Sequence, residues 1–406
     1  MTPATQQAKT KKTGRADAAS PSDKQRVSLL FTAFEPSGDA LAAPVIAQLI
    51  KRVPGVRIYA LGGPKMEKAG AQIIERTCED GSMALAAGRN VLQARGQIKR
   101  ACRWLKQYRV LAHIAVDSPA ANFPICKVSK KQGARVAHLA APQLWAWGRW
   151  RLGKLRRRSD LVLCLLPFEA PWFNERGVPA RFVGHPVMNR ALDEDAMREA
   201  MHALPQGSPR IAIFPGSRSQ EVRANMRLLA STFNELHDRY NGCAGIIVAA
   251  NRELADIVRN KIKVFPTGLH MMVGEVDTPI AWCDLAMAVS GTISLNIARH
   301  RKPMIGVYKT DVFSWLLSKL LLRTRYRLLP NIIAEREIVP EFVPYIGGPA
   351  SLVKHASFYL QDSKNTATQS AELNRICLRF ANKKPAEESA RLILQLLRDG
   401  AIAIEG

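Results

Sequence analysis

Short, almost wholly apolar runs alternate along this chain with longer amphipathic stretches, and the alternation begins near Val27. Residues 27–33 form the first run. After it Leu41, Val45, Ile46, Leu49 and Ile50 recur at helical spacing, and residues 56–61 read as the next strand, closed by Gly62-Gly63-Pro64. Residues 114–116, 136–139 and 161–165 continue the series, and His185 ends another short run that starts at Phe182. Buried strands that alternate with helix-length segments are the signature of a mostly parallel sheet.

A polar stretch over residues 190–209 interrupts this pattern, which restarts at residues 211–214. Further strands are predicted at 246–249, 285–289 and 304–307, and a last amphipathic helix over 387–398 carries Leu392, Leu396 and Leu397 on one side, with Gly400 as a stop. The expected fold class is α/β, with two Rossmann-like, doubly wound domains and a cleft between them. The divisions expected are a basic tail over 1–26, a first domain over 27–195, a second over 196–370, and C-terminal helices over 371–406 that pack back on the first domain. There is no solenoid repeat and no heptad pattern.

Composition narrows the class. The 406 residues are 47% hydrophobic and 23% charged, which excludes whole-chain disorder, collagen and a small disulfide scaffold. Lys and Arg number 59 against 34 Asp and Glu, a formal net charge of +25. Such an excess fits nucleic acid, an anionic membrane surface, or acidic small molecules such as phosphates. The seven cysteines stand singly with no C-x-x-C pair, which fits reduced thiols in the cytoplasm. Residues 1–26 carry no apolar stretch resembling a signal peptide and read as disordered; Asp17 and Asp23 count against a transit peptide. No run of eighteen apolar residues predicts a transmembrane helix.

Ligands of open parallel sheets bind beyond the carboxyl ends of the strands, so the loops after strands carry the candidate chemistry. Glu35, Ser37 and Gly38 follow the first strand, where they either cap a helix or admit a ligand close to the backbone. Gly216, Ser217 and Arg218 precede another helix; free N–H groups and a fixed cation there suit an anion. Ser290, Gly291 and Thr292 repeat the device, and two anion seats in one half suit a pyrophosphate. Asp117, at a strand end, is either a general base or a helix cap. His185 is either structural or catalytic. No His, Cys or Asp cluster has metal-ligand spacing.

These residues, taken in order, resemble the lipid-A-disaccharide synthase family, inverting glycosyltransferases of the two-Rossmann (GT-B) type. The resemblance rests on Glu35-x-Ser37-Gly38-Asp39, Asp117-x-Pro119-x-x-Asn122, Pro142-Gln143-x-Trp145-Ala146-Trp147, Pro167-Phe168-Glu169 and Gly184-His185-Pro186. It continues through Pro215-Gly216-Ser217-Arg218-x-x-Glu221, Ser290-Gly291-Thr292, Leu329-Pro330-Asn331 and Glu337-x-Val339-Pro340-Glu341. It implies transfer of 2,3-diacylglucosamine from UDP-2,3-diacylglucosamine to 2,3-diacylglucosamine 1-phosphate, with a β(1→6) bond, inversion and release of UDP. It implies no cofactor and no metal. Asp117 becomes the base and Arg218 the partner of the leaving diphosphate; Ser290, Gly291, Thr292, Asn296, Asn331 and Glu337 fall in the substrate region with Glu35, Ser37, Gly38, Asn122, His185, Gly216 and Ser217.

The chain departs from the family pattern at Phe34, at Ala120-Ala121, at Asn296, where a glutamate is usual, and at Pro344. A divergent, non-catalytic nucleotide- or lipid-binding relative and a UDP-sugar epimerase are therefore the alternatives. Basic residues mix with Trp and Leu over 89–109, 145–158 and 315–329, a composition that suits the anionic inner-membrane surface. Nucleic acid is not an expected partner, while a homodimer stays open. The expected location is cytoplasmic, peripheral on the inner face of the membrane.

Overall fold

The computed structural model describes residues 27–78, 87–310 and 324–400, without the side chains of 87–91. The tail over 1–26, Arg89 as a side chain, and most of the basic stretch over 315–329 lie outside the described residues.

Seven strands build the first sheet: β1 (Ser28–Thr32), β2 (Arg57–Gly62), β3 (Gln72–Arg76), β4 (Ala112–Val116), β5 (Arg135–Leu139), β6 (Leu161–Cys164) and β7 (Ala180–Phe182). Their order is β3-β2-β1-β4-β5-β6-β7, and every pairing is parallel. Strand β4 is buried throughout, as a central strand covered on both faces must be. Helix Pro36–Arg52 lays Val45, Ile46 and Leu49 on one face. Leu105 and Ile125, from helices Ala87–Gln107 and Pro119–Lys131, cover the other.

The second sheet joins β8 (Arg210–Phe214), β9 (Ala244–Ala249), β10 (Leu269–Val273), β11 (Leu285–Val289), β12 (Met304–Lys309) and β13 (Glu341–Tyr345) in the order β10-β9-β8-β11-β12-β13, again all parallel. Its order reverses between β8 and β11, the switch point at which open α/β sheets bind ligands. The expected architecture, two doubly wound halves, is the one observed.

Among the described residues the chain crosses between the halves twice. The first crossing passes through helix Pro186–Asn189, the second through the residues between helices Ser363–Leu378 and Pro385–Asp399. Asn189 Nδ2 donates to the Phe380 carbonyl at 2.9 Å, and the Phe182 and Phe380 rings meet at 5.7 Å, so the crossings lie side by side. Arg299 fastens the first crossing to the second domain: its guanidinium donates to the carbonyls of Val187 (2.9 Å) and Arg190 (3.1 Å) and to Asp277 (2.6 Å).

The domain limits differ from those read off the sequence. A boundary at 195 falls inside helix Glu194–Met201, and one at 371 falls inside helix Ser363–Leu378. That second helix buries Leu373 and Ile376 in the second domain's core. Of the C-terminal helices among the described residues, only Pro385–Asp399 returns to the first domain, where Ala390, Leu392, Ile393 and Leu396 join Val45, Ile46 and Leu49. Gly400 ends it in the left-handed conformation, as a C-terminal stop should.

Candidate active site

A cleft of about 540 Å³ opens between the halves. Its second-domain wall is made by the ends of β8, β9 and β11, with Phe214, Gly216, Ser217, Arg218, Val248, Ser290, Gly291 and Thr292. Gln143, Trp145 and Trp147, from the loop after β5, form the first-domain wall. The sequence supplies this wall in Pro142-Gln143-x-Trp145-Ala146-Trp147, which carried the resemblance without being assigned a site role.

Trp145 is fixed from behind. Its indole N–H donates to Glu169 at 3.0 Å, and the other Glu169 oxygen accepts the N–H groups of Leu165 (3.2 Å) and Leu166 (3.0 Å). Burial pushes the Glu169 carboxyl up to about 7, against the pull of these three donors. Trp145 and Ala146 also pack in the second domain's apolar cluster, so this loop is where the halves touch.

Asp117 sits at the end of β4 in a turn of unusual shape. Asp117 (φ 46°) and Ser118 (φ 35°) are both left-handed, which residues bearing a Cβ rarely adopt. The Asp117 carboxylate makes no hydrogen bond among the described residues. Ser118 Oγ donates to Glu35 at 3.3 Å, which brings the first two candidate loops together. Asn122 does not reach the cleft: it is fully buried, and its amide donates to the carbonyls of Val116 (3.0 Å) and Asp117 (2.9 Å).

The loop at Glu35 divides its labour. Glu35 and Ser37 are exposed, whereas Gly38 is buried; a Cβ there would stand 3.0 Å from the Ala33 Cβ, so glycine allows the helix to pack on the strand end. Asp39, two per cent exposed, accepts the N–H groups of Gly63 (2.8 Å), Lys65 (3.0 Å) and Met66 (3.1 Å), and so caps helix Pro64–Lys68 from the neighbouring helix Pro36–Arg52.

Across the cleft, the loop after β8 is not an empty anion seat. The Glu221 carboxylate accepts the N–H groups of Ser217 (2.9 Å) and Arg218 (3.2 Å), and its other oxygen takes the Arg218 guanidinium at 2.9 Å. Gly216 (φ 119°) makes this possible, because a Cβ there would lie 2.6 Å from that of Glu221. The Arg218 side chain is still 74% exposed. Its hydrogen bond to Glu221 raises its pKa further, and the Glu35 carboxylate adds to the same effect from the first domain. Glu221 is a site residue that sequence reasoning missed; its signal was a glutamate in the first turn of the helix.

Ser290, Gly291 and Thr292 reach the cleft, and a Cβ on Gly291 would meet open space. Arg327 also lines the cleft; Ser290 Oγ donates to its carbonyl at 3.3 Å. Asn296 is half-buried, one turn into helix Ile293–Arg299. Asn331 is engaged within the protein: it donates to Val339 O (2.8 Å) and Glu341 (3.0 Å) and accepts from Ile338 (2.8 Å) and Val339 (2.9 Å). Glu337 is exposed, on the loop before β13. His185 lies at the first crossing, where its Nδ1 accepts the Val187 N–H at 3.2 Å and burial pushes its pKa down to about 4. Among the described residues, no group of three or more His, Cys, Asp or Glu converges as metal ligands would.

Beside the cleft, Trp147 (46% exposed) and Trp150 (74%) stand out of the surface, with the Arg151 guanidinium 4.1 Å above the Trp147 ring. No helix among the described residues is long and apolar enough to cross a membrane.

A family model described as Lipid-A-disaccharide synthetase matches residues 29–394. The lipid-A-disaccharide synthase of Pseudomonas putida is 30% identical over 376 residues, covering 91% of this chain and 98% of that protein. That of Geobacter metallireducens is 29% identical over 378 residues, covering 91% and 97%. Among solved structures, S. aureus MnaA with UDP shares the fold at TM-score 0.62 and 9% identity, covering 94% of this chain and all of that one. Acinetobacter baumannii MurG does so at 0.53 and 14% identity, covering 91% and 99%.

Proposed function

The chain belongs to the lipid-A-disaccharide synthase family, and from that premise we propose that its cleft joins two acylated glucosamines. The protein is a UDP-sugar-dependent hexosyltransferase of lipid A biosynthesis. It transfers 2,3-diacylglucosamine from UDP to 2,3-diacylglucosamine 1-phosphate, forming a β(1→6) bond and releasing UDP.

The observation that carries the mechanism is an unengaged carboxylate, Asp117, just past the carboxyl end of the central strand β4, with the exposed Arg218 on the second-domain wall. Asp117 takes the proton of the acceptor's 6-hydroxyl as that oxygen attacks the sugar's anomeric carbon. The bond to UDP breaks on the opposite side, which inverts the centre. Its electron pair passes to the diphosphate, where Arg218 and the helix N-terminus after Ser290–Gly291–Thr292 offset the charge. UDP in the structure of MnaA, on the same fold, supports this choice of nucleotide. The alternatives have less behind them: the likeness to an epimerase is one of fold at 10% identity, whereas the synthase family spans residues 29–394.

Both sugars are acylated, so the enzyme works at a bilayer. Trp147 and Trp150, among Arg149, Arg151, Lys154, Arg156 and Arg157, support peripheral attachment to the anionic inner face of the membrane. The test is an assay of the purified protein with the UDP-linked donor and the monosaccharide 1-phosphate acceptor. Disaccharide should accumulate with UDP; folded protein that yields none overturns the reading.

A further inference from the structure

Four fully buried polar side chains lie beneath the Asp117 turn: Thr32 on β1, His113 on β4, and Asn122 and Ser129 on helix Pro119–Lys131. They form one chain of hydrogen bonds, and its direction is fixed. The Asn122 amide N–H groups donate to Val116 O and Asp117 O, so Asn122 Oδ1 must accept; its donor is the Thr32 hydroxyl at 2.6 Å. Thr32 Oγ1, its only proton committed, must then accept from His113 Nε2 at 2.8 Å. That places the imidazole proton on Nε2 and leaves Nδ1 to accept from Ser129 Oγ at 3.1 Å, so the single Ser129 proton is drawn toward His113 although the Ile125 carbonyl also lies 3.2 Å from that oxygen.

We propose that Thr32, His113 and Ser129 are positioning residues, which act through Asn122 to hold Asp117 in the left-handed turn that presents its carboxylate to the acceptor hydroxyl. The inference rests on the reading of Asp117 as the base.

Two consecutive left-handed residues with side chains persist only where the surroundings over-determine them. Here one amide grips the carbonyls on either side of the Asp117 Cα, those of Val116 and Asp117, while the Asp117 N–H is held by Leu139 O at 2.9 Å. Asn122 and Ser129 stand seven residues apart, about 10.5 Å along the helix. The chain therefore ties that helix to the sheet at two points and fixes its rotation beneath the turn. A polar chain in a covered sheet is tolerated only when complete. No nitrogen or oxygen of these four side chains is among the buried atoms without a partner, whereas Nδ1 of the nearby His138 is. Burial, with a smaller effect from His138, pushes the His113 pKa down to about 3, so the imidazole stays neutral and the direction of the chain holds at neutral pH.

The test compares Thr32→Val, which keeps the volume and removes the hydroxyl, with Thr32→Ser, which restores it. We expect Thr32→Val to melt cooperatively and to keep its donor KM while kcat falls about tenfold to a hundredfold, the scale of a misplaced catalytic group. Thr32→Ser should recover most of that loss, and Ser129→Ala, at the far end, should lower kcat in the same direction. Nitrogen-15 spectra of the wild-type protein should show His113 neutral with its proton on Nε2. A Thr32→Val enzyme at wild-type kcat, or a proton on Nδ1, overturns the proposal. Asp117→Asn separates the two readings. If it is inactive beside a fully active Thr32→Val, the relay falls and Asp117 stands as the base. If it turns over at the wild-type rate, Asp117 falls, and the relay's purpose with it.

Discussion

The carboxylate of Glu221 lies 2.9 Å from the Ser217 backbone nitrogen and occupies the amide seat that a phosphate oxygen would otherwise take. It holds the Arg218 guanidinium with its second oxygen. In the proposed mechanism Arg218 would therefore meet the donor already oriented by an acid. Glu221→Ala should free both amides and the arginine, and lower kcat/KM about tenfold. Steady-state kinetics check this, with Glu221→Gln, which keeps one acceptor oxygen, expected between the two.

Asp117→Asn keeps the shape of the side chain and removes its basicity. Arg218→Ala removes the cation that the proposed mechanism sets against the leaving diphosphate. Each should cut turnover about a hundredfold or more, the scale for losing a general base or a charge stabiliser. Near-wild-type turnover in either variant removes that residue from its role.

Asp39→Ala should weaken the fold. Three backbone donors, on Gly63, Lys65 and Met66, would lose one buried acceptor. Bonds to a charged group are worth about 1.5–3 kcal/mol each, and partial relaxation leaves a cost of about 2–4 kcal/mol. A lower urea midpoint reads this out; an unchanged midpoint overturns it.

Glu169 gives stability a pH dependence of definite sign. Its folded value of about 7 stands above the ordinary 4.5, so its contribution is whole below pH 4.5 and is lost as pH rises through about 7. Above that, the folded protein must hold a buried charge, at a cost on the order of 3 kcal/mol. Glu169→Gln cannot ionise. The difference in Tm between variant and wild type should therefore move in the variant's favour from pH 4.5 to pH 7. A constant difference counts against the shift.

Binding to anionic liposomes should weaken as salt rises, because Arg149, Lys154, Arg156 and Arg157 around Trp150 are exposed and screened. Trp150→Ala should weaken it further at every salt concentration. Sedimentation with vesicles measures both; salt-insensitive binding removes the electrostatic part of the proposal.

The interior strands were legible because they are buried on both faces and so read as unbroken apolar runs: β4, β8, β9 and β11 are the plainest cases. Three strands escaped, and each is an edge. β3 carries Gln72, Glu75 and Arg76, β10 carries His270, and β13 includes Pro344, which an edge strand tolerates. A strand covered on one side only has no need of a continuous run. At the site, the sequence told which loops follow which strands, but not which way side chains turn. Glu221 folding back on Ser217, or Asn331 closing all its bonds within the protein, depends on rotamers that spacing does not encode.

Helix Pro385–Asp399 completes the core of a domain whose strands are made long before it. On a ribosome, the groove along Val45, Ile46 and Leu49 waits for Leu392, Ile393 and Leu396 while the whole second sheet is synthesised. At ordinary elongation rates that wait is on the order of 10–40 s. The first domain is thus assembled out of order, and a nascent chain halted within the second sheet would show chaperones an apolar groove that the finished protein conceals.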